Sequence, residues 1–424
     1  MRYAGRTVWH RLVGDPMTYG LIGEKLGHSF SPEIHACIGD YAYELKELAP
    51  DAVASFLEKR DFKAINVTIP YKETVIPFCD EIDEAARAIG AVNTIVNKGG
   101  KLYGYNTDFA GLQSLIEHTG VDPKGKKALI LGTGGTCKTA AAVLRAMEAT
   151  EIVIAGRTPR EGVIGYDALP YDAEILINTT PCGMYPHIDG MAADPADFPH
   201  LKAVIDVVYN PLRTDLLQKA ESLGIPHCGG MLMLATQAIR AAEHFFDKTI
   251  DASQAKQIVR QVENIKTNIV LIGMPASGKT TVGRAVAEAL GRPFIDADEE
   301  LVKTVGRSIP AIFENEGEAA FRRYEAQTIH DLSGRNGCVI ATGGGAILNA
   351  ENVRLLKKNG RLYFLDRSLE KLMPTSDRPT ASSVEAMQTR YRERYPLYLK
   401  YSDRHIPADA EIEQVAAQII EDYL

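Results

Sequence analysis

Residues 269 to 290 read IVLIGMPASGKTTVGRAVAEAL, and no other stretch constrains the fold of this chain as tightly. Gly273 to Thr280 fits GxxxxGK[ST]; four apolar residues precede it, and Val282, Ala285, Val286, Ala289 and Leu290 follow at helical spacing. Strand, glycine-rich loop and helix in that order aim successive backbone N–H groups at one point, which suits phosphate oxygens. The expected contacts are Gly273, Ala276, Ser277, Gly278, Lys279, Thr280 and Thr281. Lys279 would neutralise β- and γ-phosphates, and the Thr280 hydroxyl would hold Mg²⁺. The loop implies ATP and a P-loop domain, and leaves the substrate open.

A second glycine-rich turn of different design lies earlier, in LILGTGGTCKTA at 129 to 140. Gly132, Gly134 and Gly135 stand between the apolar run ALIL and a helical pattern through Ala140, Ala141, Val143, Leu144 and Met147. This is a Rossmann-type turn, with a pyrophosphate expected on the helix N-terminus. Cys137 occupies the usual third-glycine position, so the fingerprint is incomplete. The next apolar run, EIVIA, ends in GRTPR. A site for NAD needs an acid here for the ribose hydroxyls, whereas Arg157, Thr158 and Arg160 favour the extra 2′-phosphate of NADP. The bland reading is two exposed arginines.

Two such turns need two α/β units, and 424 residues are too many for one ordinary core. Short apolar runs alternate with helical patterns from 17 to 105, and stronger ones (ALILG, EIVIAG, EILINTT, AVIDVVY) from 125 to 210. The expected organisation is a leader at 1–16, a substrate-binding α/β domain at 17–108 and a Rossmann domain at 109–230. Helices at 231–262 would pack back on the substrate domain, and a linker at 263–267 would lead to the P-loop α/β/α domain at 268–424. The net charge of −8 with no basic run argues against a nucleic-acid partner. No apolar run is long enough to span a bilayer, and the first residues lack a signal-peptide core. Six scattered cysteines without CxxC spacing point to a reducing cytosol. No obligate protein partner is evident.

Downstream of the P-loop, FIDADEE offers Asp296 and Asp298, on one face if the strand continues through them. One carboxylate could hold Mg²⁺ and the other accept a hydroxyl proton, although the pair alone reads equally as a solvated acidic turn. Arg322 in AAFRRYE, the glycines of VIATGGGA, Arg378 in SDRPT and Arg394 in RERYPLY follow. In order and spacing this set resembles shikimate kinase, a nucleoside-monophosphate-kinase-like fold, over 268 to 424. The resemblance implies Asp298 as base on the phosphorylated hydroxyl, with Arg322, Arg394, Gly344 and Gly345 holding shikimate. It also implies Arg378 on the transferring phosphate from a lid, and Asp296 with Thr280 on Mg²⁺. The run DRSLEKLMPTSD before Arg378 is shorter than the family's and lacks an arginine expected there.

N-terminal to the Rossmann turn, HSFSP offers Ser29 and Ser31 before a helix expected from Pro32, a setting suited to a carboxylate. INVTIPYK supplies Asn66, Thr68 and Lys72; GAVNT supplies Asn93, and GYNTD supplies Asp108. A lysine beside an aspartate can form an acid–base pair, while Lys72 alone reads as a surface charge. With NTTPCGM, DVVYNP and GGMLMLATQ the set resembles shikimate dehydrogenase over 17 to 260. That resemblance places Ser29 and Ser31 on the substrate carboxylate, and Thr68, Asn93, Asp108 and Gln237 on ring oxygens. Lys72 and Asp108 become the catalytic pair, and Tyr209 and Gly230 border the cleft. Gly156 stands where that family often has asparagine. Together the resemblances imply a bifunctional enzyme that reduces 3-dehydroshikimate with NADPH and phosphorylates shikimate with MgATP. The rivals are a shikimate- or quinate-sensing regulator that keeps the folds, and a reductase for quinate.

Overall fold

The computed structural model describes residues 17–27, 29–372 and 384–424; the leader at 1–16 and Arg378 lie outside the described residues. The chain forms two units. The first takes residues up to Thr180, then Asp197–Val207 and Gly230–Val259; the second takes Pro181–Ala196, Val208–Gly229 and Arg260–Leu424.

The first unit holds two sheets. β1 (Tyr19–Gly23), β2 (Glu44–Glu47), β3 (Ala64–Val67), β4 (Glu81–Ile82), β5 (Thr94–Lys98) and β6 (Lys101–Tyr105) run in the order β2-β1-β3-β5-β6-β4. β1 is parallel to β2 and β3, whereas β5 is antiparallel to β3 and β6. The β5–β6 hairpin closes through Gly99 and Gly100, both at positive φ, as a two-residue turn of matching twist demands. β7 (Lys127–Leu131), β8 (Glu151–Ala155), β9 (Ile175–Asn178) and β10 (Ala203–Asp206) form a parallel array, β10-β9-β7-β8. β9 and β10 are buried along their whole length, which is why they read as continuous apolar runs. The helix Met231–Phe246 then returns against the helix Asp108–His118. Gly111 permits the approach: a Cβ there would stand 2.8 Å from the Met233 carbonyl oxygen. Phe245 at its far end stacks on Tyr19.

The second unit contains the short β11 (His227–Cys228) and a parallel sheet of β12 (Asn268–Ile272), β13 (Phe294–Asp296), β14 (Val339–Ala341), β15 (Gly360–Asp366) and β16 (Arg404–Pro407). Its order is β13-β14-β12-β15-β16. Side chains alternate across it: Val270 and Ile272 enter one core with Leu362, Phe364 and Tyr398, while Ile269 and Leu271 enter another with Tyr363 and Ile419. Both faces are covered, and the loops at the strand C-termini are left to carry chemistry.

The residues expected as a linker at 263–267 are helical through Lys266, because the helix Gln254–Lys266 ends one residue short of β12 at Asn268. Its buried Ala255, Ile258 and Val262 recur at helical spacing, so the segment gains by docking rather than by extending.

Candidate functional sites

In the first unit, the chain leaves β3 through Thr68 and a turn that Tyr71 anchors by donating its hydroxyl to the Leu48 carbonyl at 2.6 Å. Lys72 follows, and its Nζ lies 2.6 Å from Asp108 Oδ2, with the two side chains only 14% and 6% exposed. Asp108 opens its helix, and the residue before it is fixed by Asn93. The Asn93 side-chain oxygen accepts from the Thr107 backbone N–H at 2.8 Å, and its amide donates to Thr107 Oγ1 at 3.0 Å. Asn93 therefore orients the turn that presents Asp108.

Asn66 is offered by the sequence without a role, yet it is buried beside Asn93. Its amide donates to the Asn93 carbonyl at 3.3 Å and to Thr94 Oγ1 at 3.0 Å. Its own oxygen accepts from the Tyr43 hydroxyl at 2.7 Å. Gln237 is buried on the returning helix, across from Gly111, and donates to the Leu234 carbonyl. The helix carrying Ser31 starts at Ser31 itself, with Pro32 in its first turn, and Ser29 Oγ lies 3.1 Å from Ser31 Oγ. That helix also packs along the returning helix. Gly230 caps the returning helix, whereas half-buried Tyr209 belongs to the second unit.

His35 sits on the same helix as Ser31, fully buried and stacked at 3.6 Å on Tyr43. Its Nδ1 meets the Tyr41 hydroxyl at 2.5 Å, while Nε2 has no hydrogen-bond partner. Burial pushes its pKa down to about 3. Between that value and the ordinary 6.5, the unfolded chain binds a proton that the folded chain refuses, so stability is lost as pH falls. At pH 5 this group alone should cost about 2 kcal/mol relative to neutral pH. Urea midpoints of wild type and His35→Phe should therefore converge as pH drops from 7 to 5; a constant gap would contradict the assignment.

The glycine-rich turn after β7 lies at the point where the strand order reverses, between β7 and β9. Gly132 has φ +111°, and a Cβ there would meet Thr179 Oγ1 at 2.7 Å, so only glycine fits. The helix Gly135–Ala146 begins directly after it, capped by Gly134 without any side-chain bond. Lys72 faces this helix start: a Cβ on Gly135 would lie 3.9 Å from its Cδ. The neighbouring Glu73 pairs with Lys138 of the same helix at 2.7 Å, tying the turn that carries Lys72 to the helix after the glycine-rich turn. Cys137 is buried in the first helical turn, where burial pushes its thiol up to about 11. It packs there as a small apolar residue.

Arg157, Thr158 and Arg160 are all exposed after β8, in a loop closed by paired backbone bonds between Arg160 and Val163. Gly156 has a physical cause: a Cβ would stand 2.7 Å from Thr133 Cγ2, inside the glycine-rich turn. The absent asparagine is thus exchanged for closer packing of the arginine loop on that turn.

In the second unit the P-loop takes positive φ at Gly273, Ala276 and Gly278. Lys279 folds back over the loop, donating to the carbonyls of Gly273 at 2.9 Å and Met274 at 2.8 Å. Thr280 Oγ1 donates to Asp296 Oδ2 at 2.7 Å, which brings together the two expected Mg²⁺ residues. β13 does not continue through Asp298. Asp296 ends the strand and caps the next helix, its Oδ1 accepting from the Asp298 N–H at 3.0 Å, so Asp298 sits in the first helical turn.

Asp298 reaches the glycine cluster after β14: a Cβ on Gly343 would meet Asp298 Oδ1 and Glu325 Oε1, each at 2.9 Å. A Cβ on Gly344 would meet Pro275 of the P-loop at 2.7 Å, and Gly345 leaves room for the Arg322 guanidinium. Arg394 and Tyr398 both donate to the Gly344 carbonyl, at 3.0 and 2.6 Å. Lys279's loop, Asp298, Arg322 and Arg394 thus surround one glycine turn.

Glu325 was missed from the sequence, although its i,i+3 spacing from Arg322 was a usable signal. It pairs with Arg322 at 2.7 Å and is buried, with Oε1 lacking a hydrogen-bond partner. Burial raises its pKa, and the Arg322 guanidinium opposes that rise. Its role is to hold Arg322 toward Gly345. Among the described residues there is no group of three or more His, Cys, Asp or Glu side chains that could bind a metal ion.

Comparison with known proteins finds two families along the chain. The family model of the shikimate dehydrogenase substrate binding domain matches residues 21–95, and that of shikimate kinase matches residues 275–424. A Clostridium perfringens protein described as shikimate dehydrogenase (NADP(+)) is 37% identical over 265 residues, covering 58% of this chain and 98% of that protein. The crystal structure of shikimate dehydrogenase 1 from Peptoclostridium difficile is similar with TM-score 0.54 and 33% identity, over 58% of this chain and 97% of that one. Shikimate 5-dehydrogenase from Thermus thermophilus, solved in complex with NADP(H) and shikimate, gives TM-score 0.52 and 29% identity over 58% and 99%. The chain belongs to the shikimate dehydrogenase family over this span, and it carries a shikimate kinase domain over residues 275–424.

Proposed function

We propose that this is a bifunctional enzyme of the shikimate pathway. Its first unit reduces 3-dehydroshikimate to shikimate with NADPH, and its second phosphorylates shikimate to shikimate 3-phosphate with MgATP. The observation that carries this reading is that each glycine-rich turn is faced by the proton-handling group its reaction needs. Lys72, paired with Asp108, stands against Gly135; Asp298 stands against the glycine turn that contacts Pro275 of the P-loop.

In the reduction, bound NADPH would supply a hydride, and Lys72 Nζ would give the proton to the ketone oxygen as it becomes a hydroxyl. Asp108 holds the ammonium in place and accepts a ring hydroxyl. Ser29 and Ser31 take the substrate carboxylate, Thr68, Asn93 and Gln237 take ring oxygens, and Gly230 borders the site. In the phosphorylation, ATP supplies the phosphoryl group. Asp298 accepts the proton of the attacking hydroxyl, and Arg322 and Arg394 grip the carboxylate with planar forks. Lys279 neutralises the phosphates, Thr280 and Asp296 position Mg²⁺, and Arg378 acts on the transferring group. The hydroxyl made by the first reaction is the one the second phosphorylates. Among the described residues no helix is long and apolar enough to cross a membrane, and none of the six cysteines forms a disulfide; the reading is of a cytosolic enzyme acting on small molecules.

Arg157, Thr158 and Arg160 are assigned to the 2′-phosphate of NADP. Replacing both arginines with alanine should raise KM for NADPH about 100-fold, with little change in activity with NADH, since each charge-assisted contact contributes roughly 1.5–3 kcal/mol. Equal losses with both cofactors would remove the assignment.

A further inference from the structure

We propose that the phosphotransfer unit is completed by chain from the middle of the dehydrogenase span, so that the two units unfold as one cooperative block. This goes beyond the activity assigned above and relies on it only for the ligand used in one arm of its test. The chain passes between the units five times, at 180/181, 196/197, 207/208, 229/230 and 259/260. Two of the excursions, Pro181–Ala196 and Val208–Gly229, belong to the second unit.

Ile188 is 2% exposed and shares one core cluster with Val270, Ile340 and Phe364, beneath the P-loop strand. Lys358 is 0% exposed and sits between the two excursions. Its Nζ lies 2.9 Å from Asp215, 3.6 Å from Asp189, and donates to the Ile188 carbonyl. Arg354 pairs with Asp215, and His330 Nε2 meets Asp189 at 2.8 Å. Burial pushes the pKa of Lys358 down to about 8, as expected for an ammonium wholly inside.

Backbone bonds extend the joint. Arg213 N donates to the Lys358 carbonyl at 2.9 Å, and Leu212 N donates to Asn359 Oδ1 at 2.9 Å. The Asn359 carbonyl in turn accepts from the N–H of Asn268, the first residue of β12, at 2.7 Å. All of this lies at the N-terminal ends of β12 and β15, whereas the P-loop occupies the opposite end of β12. The excursions therefore contribute stability to the kinase unit and make no part of its substrate site. Detaching them would strip Lys358 of both carboxylates and leave Ile188 in water, and that cost ties the folding of the second unit to chain anchored in the first.

The test uses the full chain. Kinase activity is followed as temperature rises, with and without NADPH at about 100 times its Kd. Linkage predicts that NADPH raises the temperature of kinase loss by about 3 °C for a cooperative block of this size, in step with the reductase. Ile188→Asp should remove that shift from the kinase while leaving it on the reductase. If NADPH protects the reductase alone in the unaltered chain, the proposal is overturned. A ligand-free arm decides the same point even if NADPH protects neither activity, an outcome that would count against the assigned cofactor. The amides of Leu212 and Arg213 should exchange hydrogen as slowly as those of β12; exchange at loop rates overturns the proposal.

Discussion

Replacing Lys72 with methionine should lower reductase turnover by about 10³-fold and leave phosphorylation of shikimate unchanged, because positioned proton transfer contributes roughly 10²–10⁴-fold. The geometry explains why the lysine is not an ordinary surface charge. Its ammonium is held 2.6 Å from Asp108, and its stem passes the first residue of the dinucleotide helix. The substitution also strands the Asp108 carboxylate, at a cost of about 3–5 kcal/mol to the first unit. Lost folding and lost chemistry are separated by the double variant Lys72→Met with Asp108→Asn, which removes both charges. Its melting temperature should recover much of the loss while its turnover stays low. If turnover recovered with stability, Lys72 would be structural. Both activities are to be measured well below the melting range, where coupled unfolding does not intrude.

Replacing Lys279 with alanine should do the reverse, lowering kinase kcat about 10³-fold with the reductase intact. A fixed cation on the transferring phosphoryl group typically contributes 10²–10³-fold or more in a site that excludes water. The ammonium spans the loop, bonded to the Gly273 and Met274 carbonyls, and these bonds would be exchanged for phosphate oxygens as ATP binds. Losing them costs the loop roughly 1.5–3 kcal/mol, so shikimate binding measured by calorimetry serves as the check on folding. The reading predicts unchanged shikimate affinity beside the lost turnover. Equal loss of both would make Lys279 a support of the loop rather than a phosphate ligand.

Much of the scaffold is legible because its strands are buried on both faces. β7, β9, β10 and β12 are largely continuous apolar runs, and β7 and β12 lead straight into glycine turns. β2 escapes notice because ELKE is a short, mostly exposed edge strand with three charges, as edges are where charge is tolerated. At the sites, residue types that carry chemistry stand out, while those that only position them do not. Asn66 and Glu325 act through neighbours: the sequence offers Asn66 without a role, and only its i,i+3 spacing from Arg322 marks Glu325. The Asp296–Asp298 pair shows a different limit, since spacing alone could not tell that Asp296 ends a strand and caps a helix. Least legible is the burial of Ile188 and Lys358 in one unit. Their partners lie some 170 residues apart, and no periodicity reports a contact at that range.

The most direct test of the account is a single reaction with the purified chain, 3-dehydroshikimate, NADPH and MgATP. The account predicts that NADPH is oxidised and that shikimate 3-phosphate forms in equal amount, with no phosphorylated product when NADPH is left out. Accumulation of shikimate without its phosphate would contradict the assignment of the second unit. Failure to oxidise NADPH, with added shikimate still phosphorylated, would contradict that of the first.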